Sequence, residues 1–229
     1  YVTQDDDVCV AANARCVSVI ATATNTTVAR VPIPITGNSV PFWIAITPGG
    51  AFAYVTNMIT DTGTVLVIDT STNTVVVTVA VGCCPFEVAI TPDGAFAYVT
   101  NGAPGTVSVI ATATNTVVAR VMVGSNAIGV AITSDGTRAY VARGGAVSVI
   151  ETATNTVTAT IPVAAGCGGP YGVAITPDGA FAYVAGGGFG CPGVNDVFVI
   201  DTNPLSPTYN TVVATVDVGS QPNHVAITP

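Results

Sequence analysis

Apolar and polar residues alternate in short runs along the whole chain, and the runs return in the same order. In Glu87-Val88-Ala89-Ile90-Thr91, Val and Ile share one side of an extended backbone while Glu, Ala and Thr share the other. The signature Ala-Ile-Thr-Pro stands at 45–48, 89–92, 174–177 and 226–229, with Ala-Ile-Thr-Ser at 131–134. A second run, Tyr-Val-Thr-Asn, occupies 54–57 and 98–101, with looser copies opening at Tyr1, Tyr140 and Tyr183. The third reads Val-Ser-Val-Ile at 17–20, 107–110 and 147–150, Val-Leu-Val-Ile at 65–68 and Val-Phe-Val-Ile at 197–200. The fourth follows an Asn and begins at Thr26, Thr74, Thr116, Thr156 and Thr211. Every run is rich in Val, Ile, Thr and Tyr and is bounded by Gly, Pro, Asn or Asp, which is the punctuation of strands. No window shows the three-to-four-residue apolar spacing of an amphipathic helix.

Four strands per repeat predict an all-β fold, a five-bladed β-propeller with four antiparallel strands in each blade. The blades span about 41–82, 85–124, 127–164 and 170–219, and a fifth combines 1–34 with 222–229. The chain opens on a second-strand sequence and closes on a first-strand sequence, so the N-terminal strands are expected to pair with the C-terminal strand and close one domain over 1–229. A five-unit excerpt of a longer array gives the same ends. Five inner strands that converge need small residues toward the centre. The Ala and Thr of each Ala-Ile-Thr run are therefore expected to line a narrow channel, with Val and Ile in the packing.

"PFEVAITPDGAFAYVTN" at 85–101 and "TVSVIATATNTVVARVMVG" at 106–124, with their copies, resemble the YVTN-repeat β-propellers of archaeal and bacterial surface-layer and secreted proteins. The resemblance covers essentially the whole chain. It implies a propeller scaffold that serves different roles in different members, so the function it implies is only a general one. The family's Asp after Val-Ile is kept at Asp69 and Asp201 but is replaced by Ala21, Ala111 and Glu151, and many relatives resemble seven-bladed rings.

Charge narrows the partners. Only 8% of residues are charged, the net charge is −8, and the basic residues are five arginines with no lysine. Nucleic acid needs a basic stripe to neutralise phosphate, and there is none. No apolar run reaches the length of a bilayer span. The chain begins at Tyr1 without Met and reads as a mature or trimmed form, which together with six cysteines points to an extracellular, cell-surface or periplasmic location. Of fifteen possible pairings, the loop positions favour Cys9–Cys16, Cys167–Cys191 and a vicinal Cys83–Cys84; free cysteines in a cytosolic protein are the alternative.

Candidate chemistry is sparse. One step before each Ala-Ile-Thr run, on the Ala side, stand Trp43, Glu87, Gly129, Gly172 and His224, and an aromatic, an acid and the one histidine are expected to meet at a channel mouth that two glycines keep clear. Glu87 and His224 there have the chemistry to bind a metal or act as acid and base, or to be ordinary solvated rim residues. Asp5, Asp6 and Asp7, with Asp196 in the equivalent loop of the adjacent blade, offer hard oxygens for Ca²⁺, although no complete loop motif is present. Gly188-x-Gly190-x-x-Gly193 leads into a strand instead of a helix, so it is not a phosphate-binding turn. Asn25-Thr26-Thr27 is the one glycosylation sequon. Two functions follow: a secreted or surface-displayed structural or binding module that presents a rigid surface to proteins, glycans or copies of itself, and, as the alternative, an enzyme or metal protein using Trp43, Glu87 and His224.

Overall fold

The computed structural model describes residues 1–4, 15–33, 39–59, 62–163, 169–187 and 196–228. The fold is all-β and propeller-like, built from antiparallel sheets whose strands follow one another in sequence order. The first sheet has three strands, β1 (Val2–Gln4), β2 (Arg15–Ala21) and β3 (Thr26–Ile33). The second has β4 (Val40–Ile46), β5 (Phe52–Ile59), β6 (Thr62–Asp69) and β7 (Thr74–Ala80). The third has β8 (Pro85–Ile90), β9 (Phe96–Asn101), β10 (Thr106–Ala111) and β11 (Thr116–Met122). The fourth has β12 (Val130–Ile132), β13 (Arg138–Arg143), β14 (Ala146–Glu151) and β15 (Thr156–Pro162). The fifth has β16 (Val173–Ile175), β17 (Phe181–Ala185), β18 (Asp196–Asp201) and β19 (Val212–Asp217). The packing divides into two compact units, Tyr1–Asn101 with Ser108–Val118, and Gly102–Val107 with Ala119–Pro229.

Sequence alternation sets the register. The Ala of strand one stands opposite the Tyr of strand two at Ala45–Tyr54, Ala131–Tyr140 and Ala174–Tyr183. The third strand shifts register one residue before its end at Val19/Ile20, Val67/Ile68, Val149/Ile150 and Val199/Ile200, a bulge repeated at the same place. The hairpins that follow turn on Asn25, Asn73, Asn115, Asn155 and Asn210, all left-handed with φ between 52° and 58°. Asn tolerates that conformation better than other side-chain-bearing residues.

Within the first unit, Val31 and Ile33 of the first sheet pack against Ala53, Val55, Leu66 and Ile68 of the second. Val79 and Val81 of the second sheet pack in turn against Val88, Ala97, Val99 and Ile110 of the third. The second unit repeats the arrangement with Ile161 and Val163 against Val173, Val184, Phe198 and Ile200. In these three pairs one sheet presents the Tyr of its second strand and two apolar residues of its fourth, and the next sheet receives them on its Val and Ile residues. Burial of this apolar area is the main stabilising term, at roughly 25 cal/mol per Å².

The Tyr-Val-Thr-Asn run has a polar role at three of its four positions. Three of the Tyr residues reach the Asn turn of the next sheet, with Tyr1 Oη donating to Asn73 Oδ1 at 2.8 Å, Tyr54 to Asn115 at 2.7 Å and Tyr140 to Asn210 at 2.7 Å. The Thr fills a bulge in strand one: Thr56 Oγ1 accepts from Trp43 N at 2.9 Å and donates to Phe86 O at 2.8 Å, while Thr100 Oγ1 accepts from Glu87 N at 3.0 Å. Asn101 Nδ2 donates to Ser108 Oγ at 3.0 Å, which itself donates to Val81 O at 2.7 Å.

Three expectations are corrected. The C-terminal closing strand is not found among the described residues: the first sheet has three described strands, and residues 221–228 belong to no strand. Pro222 lacks an N–H, and the carbonyls of Pro222 and Asn223 already accept from Gly187 N and Gly172 N, so this segment is tied to its own unit. The vicinal Cys83–Cys84 bond is absent, since Cys83 carries a free thiol. The backbone turns there in the left-handed conformation at Cys84, φ 56°. The Ala side of strand one does not simply face a channel, because Ala45 and Ala131 pack against the apolar clusters shared with the next sheet. The neighbouring Thr hydroxyls cap turns: Thr91, Thr133 and Thr176 each donate to the Asp two residues on at 2.5 Å. Cys9, Cys167 and Cys191, and with them the other two expected disulfides, lie outside the described residues.

Candidate functional site

In the first unit, Trp43 and Glu87 occupy the same bulge of successive first strands. Bulges re-aim side chains, and here they turn the Trp43 indole onto the cluster of Tyr54, Val88 and Val99, where it is partly buried. Glu87 is buried at 8% exposure. Beside them the rings of Phe42 and Phe86 meet edge to face with centroids 5.3 Å apart. Trp43 is therefore first of all a packing residue, and Glu87 is the unusual member, a carboxyl on a protein-covered strand.

In the second unit, the equivalent positions are Gly129, Gly172 and His224. The glycines allow close approach of backbone. A Cβ on Gly129 would lie 2.1 Å from Tyr171 O, and one on Gly172 would lie 2.8 Å from Asn223 O and 3.0 Å from His224 Nδ1. Inner strands thus pass so near one another that no side chain fits, which is a different reason for glycine than keeping an opening clear. His224 keeps much of its surface exposed, yet the protein around its ring displaces water and lowers its pKa below the ordinary 6.5, against an opposing hydrogen bond with the Asn223 backbone. The imidazole is neutral at pH 7. Glu87 and His224 belong to different compact units. Asp5, Asp6 and Asp7 lie outside the described residues, and Asp196 lies in β18, its carbonyl accepting from Gly186 N at 2.8 Å. Among the described residues no group of three metal-binding side chains occurs, and no helix is long and apolar enough to cross a membrane.

A pocket of 260 Å³ lies in the second unit, away from every described candidate site residue. Its walls come from the β12–β13 turn (Thr133, Asp135, Arg138), the β16–β17 turn (Asp178) and the start of the β18–β19 hairpin (Thr202, Asn203). Local bonds hold each wall. Thr202 Oγ1 donates to Gly179 O at 2.7 Å, Asp201 Oδ1 accepts from Asn203 N at 2.9 Å, and Asp201 Oδ2 accepts from Thr208 Oγ1 at 2.6 Å. The Arg138 guanidinium carbon sits 5.4 Å from the Tyr209 ring centroid, a cation–π contact that fixes it at the rim. Only the extra length of the 201–210 hairpin, where the other repeats use five residues, hinted at this site.

The acids of these turns are ionised at neutral pH. The Thr176 hydroxyl and then the Ala180 N–H hold Asp178 below the ordinary carboxylate range, as the Thr91 hydroxyl and Ala95 N–H do for Asp93. Burial pushes Asp135 up, but bonds from Thr133 and Thr137 and the nearby Arg138 outweigh it and leave it lowered. A depressed folded-state pKa stabilises above the unfolded value, about 3.9 for Asp. That contribution is lost as pH falls through the folded value. The melting temperature is therefore expected to decline below about pH 4, with a shallower decline in Asp93→Asn/Asp178→Asn. An identical slope in that variant would remove these turns as the cause.

No protein-family model matches the chain, and no curated protein matches it. Among solved structures, hydrazine synthase of Kuenenia stuttgartiensis aligns with a TM-score of 0.63 at 19% identity, over 91% of this chain and 82% of that one. A protein of Desulfotomaculum acetoxidans described as functionally unknown aligns with a TM-score of 0.65 at 19% identity, over 88% of this chain and 62% of that one. Likeness at this identity concerns the fold alone.

Proposed function

We propose that this protein is an extracellular or cell-surface binding module of YVTN-repeat type, whose rigid sheets present loop sites to a partner. The observation that carries this reading is where the polar side chains go. The repeated Tyr, Thr and Asn residues are engaged in internal hydrogen bonds that lock sheet to sheet and turn to strand, and among the described residues Asp135, Arg138 and Asp178, besides their own turn bonds, line one open pocket. Ionised carboxylates beside a guanidinium and hydroxyls suit a neutral polyhydroxylated group, whose hydroxyls donate to the acids and accept from the arginine. The net charge of −8 disfavours anionic ligands.

An array of neutral and acidic oligosaccharides tests this. Retention on neutral glycans is expected, weakened about tenfold or more in Arg138→Ala and unchanged in Glu87→Ala and His224→Ala. Retention indifferent to Arg138→Ala, or none at all, overturns the glycan assignment. The buried Glu87 carboxyl favours the enzyme or metal reading as the alternative: a stoichiometric metal ion in the purified protein that disappears in Glu87→Ala would support it.

A further inference from the structure

The fourth strand of every repeat opens after an Asn turn, and the residue two places beyond that Asn is a valine in four of the five: Val75, Val117, Val157 and Val212. In the first repeat it is Thr27. This one change turns Asn25-Thr26-Thr27 into an Asn-x-Thr sequence, the acceptor for N-linked glycosylation when x is not proline. No other Asn of the chain has a Ser or Thr at that spacing. Threonine suits a strand as valine does, so the motif gains its weight from its surroundings.

The hairpin between β2 and β3 sets both groups of the motif in the open. Asn25 sits at its tip, where its N–H donates to Ala21 O at 2.7 Å and its φ of 53° makes the reversal. Thr26 stands opposite Ala21 and Thr27 opposite Ile20, so the register of the strand fixes the spacing of the motif. Asn25, Thr26 and Thr27 are all exposed. Among the described residues the Asn25 side chain and the Thr27 hydroxyl take part in no hydrogen bond, so neither is withheld by the fold.

The equivalent asparagines show which atom the fold uses. Asn73, Asn115 and Asn210 accept a tyrosine hydroxyl on Oδ1 and remain partly exposed. A glycan is carried on Nδ2, which those bonds do not engage. Attachment at Asn25 is therefore compatible with a tyrosine bond at its Oδ1 and does not depend on which sheet, if any, stands before the first.

We propose that Asn25 is the acceptor of an N-linked glycan. The bond from Nδ2 to the anomeric carbon of the glycan forms as the bond from that carbon to phosphate breaks in a lipid-phosphate-linked oligosaccharide donor. Nδ2 gives up one proton, and the lipid phosphate leaves. The transferring enzyme grips the Thr27 hydroxyl, which is why the second residue beyond the asparagine decides the matter. The bulky, hydrated sugar then shields a hairpin that has no charged residue from 21 to 29 and whose Val28 is 60% exposed. The site rests on the extracellular location in the proposed function and is independent of the Arg138 pocket.

Expression behind a secretion leader in a eukaryotic host that performs N-glycosylation imposes that location and tests the site. Peptide mapping by mass spectrometry is expected to find a glycan on Asn25, and the chain mass is expected to exceed 22.8 kDa by one glycan that peptide N-glycosidase removes. Thr27→Val restores the residue of the other four repeats, so the strand is kept, and it is expected to abolish the modification, as is Asn25→Gln. Thr27→Ser is expected to retain it. A secreted wild-type chain that is bare at Asn25 overturns the proposal. So does an added mass that survives Thr27→Val, which would place the sugar on a hydroxyl elsewhere. Fractionation of the source cells reads the location separately: a cytosolic protein there, with Asn25 modified in the exported chain, overturns the extracellular reading and leaves the acceptor site standing.

Discussion

Gly129→Ala is expected to be among the most destabilising single-methyl additions in the protein, lowering stability by about 3 kcal/mol or more. The added Cβ would stand 2.1 Å from Tyr171 O and 3.1 Å from Gly172 Cα. Both are backbone atoms, so no side chain can swing aside, and the two strand starts must separate. That movement strains bonds on both sides of the contact: Gly129 O accepts from Ala142 N at 2.9 Å, and Tyr171 N donates to Ala185 O at 2.9 Å. Urea unfolding followed by circular dichroism measures the effect. Gly49→Ala is the control, since nothing lies within 4 Å of its Cβ position and its backbone is not left-handed; a change below about 0.5 kcal/mol is expected there. Equal midpoints for the two variants would show that the close approach of inner strands does not constrain this unit.

Tyr54→Ala is expected to cost about 3–5 kcal/mol and Tyr54→Phe about 1–2 kcal/mol. The ring is 1% exposed within the cluster of Val65, Val79, Val88 and Val99, so its removal opens a cavity between two sheets. The phenylalanine keeps that packing but leaves Asn115 Oδ1 without the donor it had at 2.7 Å. Asn115 also holds the left-handed turn, φ 52°, so Asn115→Gly is the better partner for a double-mutant cycle than Asn115→Ala. A coupling near zero would mean that the Tyr–Asn bond orients the turn without joining the sheets energetically. The same tyrosines set an alkaline limit. Burial, then the nearby Asp93, pushes Tyr98 up to about 12. A raised folded-state value means that stability is fully present below the unfolded pKa of about 10 and is lost as pH rises toward the folded one.

Much of this was legible in the residues. Alternation and turn chemistry are local properties, and they located the repeated strands and the Asn that precedes each fourth strand. Val88, Val130 and Val173 are buried as the alternation implied. The candidate site was less legible. Glu87 and His224 occupy equivalent repeat positions, but equivalence says nothing about burial, and one is covered while the other keeps much of its surface exposed. Small size points Ala45 toward a central face, yet it packs on the cluster around Val88 and Val99. A strand's two faces are distinguishable in sequence, whereas what each face meets depends on a sheet more than forty residues away.

The sequence by itself determined that the chain is all strand, in what order the strands come, and where each turn falls, because backbone sterics and two-residue alternation act between neighbours. Only the tertiary structure decided that Tyr54 bonds Asn115 and that Gly129 admits the Tyr171 carbonyl. It also placed Asp135, Arg138 and Asp178 around one pocket and left Asn25 exposed at the tip of its hairpin. Those outcomes depend on how twisted sheets stack, and stacking is fixed by the summed fit of many side chains, which no short stretch of sequence contains.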